Sequence, residues 1–250
     1  MGLKVVVTGA SSGIGRATAL RFAKDGHDVF ITARSQAGLD ETASLAKGEG
    51  HGTVYKGVGD VQVPADVLKN YEEAIKALGH IDVIVLSAGM GWTQYLEDYS
   101  VEDFDTIINT NLKGAFFWLK AVLPAFKKRK SGQIVIVNSI FGLNVTAKGF
   151  SIYSASKHAL TGMAEGLRME VAGTGIKVAS VFPGVVDTPI WTGPNWEKTN
   201  IDPQQFGISV SMAPEDVSDT IATIAYQHPR SDIDTLRIFP NYGPNRTRAG

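Results

Sequence analysis

Tyr153 and Lys157 stand four residues apart in the stretch YSASKHAL, and that spacing puts a phenol and an ammonium on one helix face. A phenol in water holds its proton until about pH 10, too tightly for efficient exchange near neutrality. A neighbouring ammonium favours the phenolate and so lowers that value. A phenol tuned in this way can pass a proton to a carbonyl oxygen while a cofactor passes hydride to the carbon. The pair alone recurs by chance, and an isolated pair reads best as a surface contact. Its context changes the reading. Ser139 ends the apolar run IVIVNS, where its hydroxyl can hold a carbonyl oxygen as a fixed donor. Asn111 interrupts an otherwise helical stretch, where asparagine is a poor choice without a reason. The segment FPGVVDTP follows another apolar run and ends on Thr188.

A second constellation lies at the start of the chain. The apolar run LKVVVTG leads directly into TGASSGIG, with glycines at 9, 13 and 15. Gly9 permits a tight turn, Gly13 leaves room for a pyrophosphate, and Gly15 allows a helix to pack closely. With Ser11, Ser12 and Ile14 between them, these residues form an expected phosphate cradle at a helix N-terminus. About twenty residues further on, a dinucleotide fold carries an acid for the ribose 2′-hydroxyl. Here that place holds Ala33, followed by Arg34 and Ser35. A guanidinium binds a 2′-phosphate that a carboxylate would repel, so NADP(H) is the expected cofactor.

The elements that must position these groups alternate. Apolar runs at 3–9, 28–34, 52–57, 81–89, 132–139, 176–184 and 235–239 read as seven strands, separated mostly by helical patterns. In the first helix Ile14, Ala17, Leu20, Arg21 and Ala23 bracket the expected inner face, and Gly26 is its stop. Pro64 suits the first turn of a helix carrying Leu68, Tyr71, Ile75 and Leu78. One long helix is expected from 101 to 130, kinked or broken at Pro124. Strands without strict polar alternation need cover on both faces, and strand–helix repetition needs right-handed crossovers. The expected fold is α/β, a single domain over 1–250 with a doubly wound parallel sheet and helices on both faces. Residues 188–213 are the least regular and are expected to form a substrate-binding loop or lid.

Composition narrows the function classes. A net charge of −1 gives no basic surface for nucleic acid, and KKRK (127–130) reads as the charged end of a helix. With no cysteine there are no disulfides or thiolate sites, which fits a reducing compartment. Five scattered histidines lack ligand spacing, so no metal is expected. The N-terminus lacks the parts of a secretory signal, and no run approaches the length of a membrane span. The expected location is cytoplasmic, with neither membrane nor nucleic acid as a partner.

Taken together, the glycine spacing G-x-x-x-G-x-G, Asn111 in NLKG, Ser139 in SIFG and the Tyr153–Lys157 pair resemble the short-chain dehydrogenase/reductase family, from residue 3 to about 225. The resemblance implies a Rossmann fold and an oxidoreductase. It implies that Tyr153 is the general acid/base, that Lys157 binds the nicotinamide ribose and lowers the Tyr153 pKa, and that Ser139 polarises the carbonyl. Asn111 would complete a tetrad by holding a water that relays protons to Lys157. Asp60 and Val61 match the adenine-contacting pair, and Pro183, Gly184, Val186 and Thr188 match the stretch at the nicotinamide end. Leu86 and Ser87 replace two asparagines usual before Ala88 and Gly89, which leaves the cleft but alters side-chain bonding at Ser87. Ser12 stands where some NADP-type members carry a basic residue, and the interval from Ser139 to Tyr153 is one residue longer than the commonest spacing.

Segments 90–95, 141–150 and 188–213 should recognise the substrate. Their Trp92, Phe141, Trp191 and Trp196 suggest an aromatic-lined pocket for a ketone or aldehyde with apolar bulk, a 3-oxoacyl thioester being one candidate. The apolar helix around Phe116, Phe117, Trp118, Leu119, Val122, Leu123 and Phe126 suggests a homodimer or homotetramer, since relatives pair this helix. The alternative to an NADPH-dependent carbonyl reductase is a catalytically weak NADP(H)-sensing regulator or scaffold on the same fold. The four filled tetrad positions weigh against it.

Overall fold

The valines of β1 (Lys4–Thr8) have no face exposed to water: Val5, Val6 and Val7 are all fully buried. Such a strand must lie inside a sheet covered on both sides. In the computed structural model, which describes residues 2–48, 51–191, 199 and 211–241, β1 pairs in parallel with β2 (Asp28–Ala33) on one side and β4 (Val83–Leu86) on the other. β3 (Val54–Val58) extends the first edge. β5 (Gly132–Val137), β6 (Ile176–Pro183) and β7 (Thr235–Ile238) extend the second. The order β3-β2-β1-β4-β5-β6-β7 is entirely parallel and reverses direction between β1 and β4. That reversal opens a crevice at the carboxyl ends of the strands, the place where open α/β sheets bind ligands.

Alternate side chains of each strand feed two cores. Val5, Val7, Val29, Ile31, Val83 and Val85 pack towards α1 (Gly13–Lys24) and α7 (Pro214–Ala225). Val6, Phe30, Ile84, Ile134 and Ile136 pack towards α5 (Gly114–Arg129) and α6 (Ser151–Val171), around Trp118, Phe126 and Leu160. Each fully buried aliphatic side chain contributes about 1.5–3 kcal/mol of transfer free energy. α2 (Gln36–Leu45) and α3 (Pro64–Leu78), with Pro64 in its first turn as expected, complete the layers.

Two expectations about the elements are corrected, and one helix is added. The inner face of α1 is Gly15, Ala17, Thr18, Ala19, Phe22 and Ala23, whereas Arg21 points outward to pair with Asp25 and Asp219. α7 is a helix without a place in the sequence reading. It packs on α1 through the edge of Tyr226 against Phe22 and a 2.6 Å hydrogen bond from the Tyr226 hydroxyl to Asp25. The expected single helix 101–130 is two helices, α4 (Val101–Ile108) and α5, joined by a π-helical turn, Asn109–Lys113. Pro124 does not break α5, which continues to Arg129. The interruption falls instead around Asn111, whose side chain binds backbone outside its own helix.

Candidate active site

The crevice is a cavity of about 590 Å³ running along the strand ends. At its floor Gly9 adopts φ +67, and a β-carbon there would stand 2.7 Å from Ala88 Cα. Only glycine lets the turn after β1 lie on the segment after β4. The two are also stitched together by Thr8, whose Oγ1 accepts from the N–H groups of Ser87 and Ala88 at 3.0 Å each. Gly15 packs on the Gly9 carbonyl, where a β-carbon would be only 2.4 Å from the oxygen. Gly13 adopts φ +53 beneath the Thr188 side chain. Ser11, Ser12 and Ile14 complete this wall.

At the far end Arg34 is exposed beside the cavity and makes no hydrogen bond or ion pair with another described residue. Ser35 Oγ accepts from Gly38 N–H and so caps α2, which tethers one of the two expected phosphate donors. Asp60 and Val61 lie across the opening, and Asp60 holds the turn before α3 by accepting from Gln62 N–H at 2.9 Å. Ser87, Ala88 and Gly89 form the middle of the floor, and Pro183, Gly184, Val186 and Thr188 the end nearest Tyr153.

Tyr153 and Lys157 face the cavity from the first two turns of α6. Lys157 is buried, donates to the Val137 carbonyl at 3.1 Å, and sets its Nζ 5.7 Å from the centre of the Tyr153 ring. Ser139 comes from the end of β5 and lines the cavity beside Tyr153, where its hydroxyl favours the phenolate. Its Oγ also accepts from Phe141 N–H at 3.2 Å, capping a short turn, Ile140–Gly142. Ser151 and Ser154 lie at the start of α6.

The electrostatics differ from the sequence reading in one respect. Lys157 does not lower the phenol here. Desolvation dominates and pushes Tyr153 up to about 12, with the Ser139 hydroxyl pulling the other way. Burial pushes Lys157 down to about 8. Both shifts favour the neutral form, as expected for groups moved out of water. Tyr153 therefore keeps its proton at neutral pH and stands as a donor.

Asn111 is not on the cavity wall but behind it. Its Oδ1 accepts from Met90 N–H at 2.8 Å, and its Nδ2 donates to the Met90 carbonyl at 2.8 Å and to Ser156 Oγ at 2.9 Å. The side chain that was expected to help hold a water makes these three hydrogen bonds to protein and keeps one acceptor site on Oδ1. Trp92 is also displaced from its expected role. It is 1 % exposed and packs with Ile107 and Ile152 rather than in the pocket. Phe141 does line the pocket, stacked on Phe150 with ring centres 4.3 Å apart, and the edges of both rings meet Tyr153. Trp196 and the Trp191 side chain lie outside the described residues, as does most of the segment 188–213.

The family model described as short chain dehydrogenase matches residues 3–198. This chain belongs to the short-chain dehydrogenase/reductase family. An uncharacterized oxidoreductase of Staphylococcus haemolyticus is 34 % identical over 239 residues, covering 96 % of this chain and 97 % of that one. Among solved structures, the closed form of a serine dehydrogenase complexed with NADP+ superposes with a TM-score of 0.86 at 28 % identity, covering 98 % and 97 % of the two chains. A 3-ketoacyl-(acyl-carrier-protein) reductase from Brucella melitensis complexed with NADH superposes with a TM-score of 0.84 at 27 % identity, covering 95 % and 97 %.

Within this short-chain dehydrogenase/reductase, two polar residues that matter to the site escaped sequence reasoning. Thr8 ties β1 to β4 as described. Asn138, 4 % exposed, accepts from Ser139 N–H at 3.0 Å and donates to Thr161 Oγ1 at 3.0 Å. Thr161 in turn donates to the Gly142 carbonyl at 2.9 Å, which holds the Ser139 turn against α6. The available signal was a polar residue at the end of each apolar strand, immediately before a residue already singled out.

Proposed function

We propose that this oxidoreductase is an NADPH-dependent reductase of a ketone or aldehyde, running in reverse on a secondary alcohol, with Tyr153 as general acid/base. The observation that carries the proposal is the meeting of Ser139, Tyr153 and Lys157 in the same cavity as the glycine cradle. The cofactor's fit is supported by that cradle. At Gly13 and Gly9 side chains are missing where the turn closes, and backbone rather than bulk faces the cavity. Gly9, Ser11, Ser12, Gly13, Ile14 and Gly15 would hold the pyrophosphate, and Asp60 and Val61 the adenine. Ala88, Gly89, Pro183, Gly184, Val186 and Thr188 would hold the nicotinamide end. Arg34 would take the 2′-phosphate. The NADP+ complex of the similar serine dehydrogenase supports the choice of NADP(H).

When bound, the nicotinamide supplies hydride. Everything else falls to the side chains. Ser139 donates to the carbonyl oxygen and orients it towards Tyr153. Tyr153 gives its proton to that oxygen as charge develops there. Lys157, on the same face of α6, binds the ribose and faces the phenolate that is left behind. Asn111 is a positioning residue that holds Met90 and the turn of Ser156. Phe141, with Ile140 and Met90, gives the substrate end an apolar wall, which suits a carbonyl compound with apolar bulk.

The domain reading is a single domain with the substrate loop at 188–213, in a cytoplasmic protein. The assembly reading is a homodimer or homotetramer, supported by Phe116 at 48 % and Met169 at 80 % exposure on α5 and α6. The deciding experiment is NADPH oxidation across a panel of ketones and aldehydes with wild type and Tyr153→Phe. Loss of the phenolic hydroxyl should lower kcat by about 10²–10⁴ while NADPH still binds. Tight NADPH binding with no turnover on any compound would favour the sensor instead.

A further inference from the structure

Gly91 lines the cavity in the segment after β4, yet its backbone is not among the left-handed glycines. Its requirement for glycine is steric. A β-carbon on Gly91 would stand 2.4 Å from Tyr153 Cδ2, 2.9 Å from Cε2 and 3.1 Å from Cγ. Carbon atoms in contact normally rest at about 3.5–4.0 Å. We infer that Gly91 is a positioning residue for the reaction: its bare backbone is the surface against which the Tyr153 ring is held in reach of Ser139.

Neither side of this contact is free to give way. On one side Met90 is gripped through both its N–H and its carbonyl by Asn111. On the other side of Gly91, Trp92 is buried, and its carbonyl accepts from the Tyr99 hydroxyl at 2.9 Å. The ring is confined as well. The rings of Phe141 and Phe150 lie 6.2 and 6.1 Å from it, centre to centre, and Lys157 Nζ is 5.7 Å from its centre. The two parts are referenced to each other through Asn111. The same amide that holds Met90 donates to Ser156 Oγ, which donates to the Tyr153 carbonyl at 2.6 Å. A single side chain thus sets both the backbone next to Gly91 and the helical turn that carries the phenol. An added methyl has to be absorbed by the ring. Turning about its own axis would leave the hydroxyl in place, but Phe141 and Phe150 beside the ring oppose that turn, and tilting about χ1 carries the hydroxyl away from Ser139.

The kinetic arm of the test rests on the reductase reading, and the thermal arm does not. Gly91→Ala is made in the wild-type chain and in Tyr153→Ala, where the obstructing ring is gone. In the wild-type background kcat for a reduced ketone should fall at least about tenfold while NADPH affinity stays within about threefold, the mark of a displaced proton donor rather than a lost binding site. The melting temperature should fall in the wild-type background and hold steady in Tyr153→Ala. Failure to fold in the first background with folding in the second supports the contact equally. An unchanged kcat, or the same thermal loss in both backgrounds, overturns the inference. A wild-type chain that reduces no carbonyl compound removes the reductase reading and leaves the thermal cycle to judge the contact.

Discussion

The side chains of the crevice divide into those that meet the ligand space and those that hold them there. Arg34 belongs to the first group and is the sharpest test of cofactor choice. It is exposed and has no ion-pair partner among the described residues, so a 2′-phosphate would meet no competitor. A charge-assisted hydrogen bond contributes about 1.5–3 kcal/mol, less where water screens it. Arg34→Ala should therefore weaken NADPH binding about tenfold and leave NADH nearly unaffected, as measured by titration of each cofactor. Equal losses for both would show that Arg34 acts on the cradle rather than on the phosphate. Chemical residue types at this scale were readily legible. Tyr153, Lys157, Ser139 and the three glycines were singled out from residue type and spacing taken together with the family resemblance, and the structure brings them to one cavity. Thr8, Asn138 and Gly91 were not legible. Each acts through a contact with residues distant in the chain, and the one-dimensional pattern carries no trace of that contact.

At the scale of elements, the π-helical turn Asn109–Lys113 is the informative departure. Asparagine is a poor helix residue because its amide competes for backbone groups. Here it wins that competition against the backbone of another segment. The extra residue of the turn is accommodated where Asn111 leaves the regular ladder to hold Met90 and Ser156. π-turns are frequent at functional sites for this kind of reason. Asn111→Ala would leave the Met90 N–H and carbonyl without their partner. At up to about 1–3 kcal/mol for each of these two partly buried groups, the loss in stability should be about 2–6 kcal/mol at most, read from a denaturant midpoint. A change below about 0.5 kcal/mol would mean that water replaces the amide. The strands were legible to within a few residues, since a buried parallel strand must be a continuous apolar run. The helix 101–130 was not, because the hydrophobic period continues across the π-turn while the hydrogen-bond ladder shifts.

At the scale of the whole molecule, two faces of the sheet are covered by helices, and the outer surface of α5 and α6 remains. Gly162 and Gly166 on α6 have nothing within 4 Å of an added β-carbon, beside exposed Met169. An uncovered helix surface carrying glycines suits close approach of a second copy. Gly166→Arg should shift the assembly to a smaller species by light scattering while the helical content of the circular dichroism spectrum stays constant. A wild-type chain that is already monomeric would remove the oligomer reading. By itself the sequence determined the family and the parallel α/β architecture, and it nominated the groups of the proposed site, because strand burial, phosphate contact and proton transfer each restrict residue type at fixed spacing. Only the tertiary structure decided that Asn111 stands behind the cavity, that Trp92 is core rather than pocket, and that burial pushes the Tyr153 phenol upward. Those outcomes depend on which distant backbone groups and how much water surround a side chain, and only packing sets either.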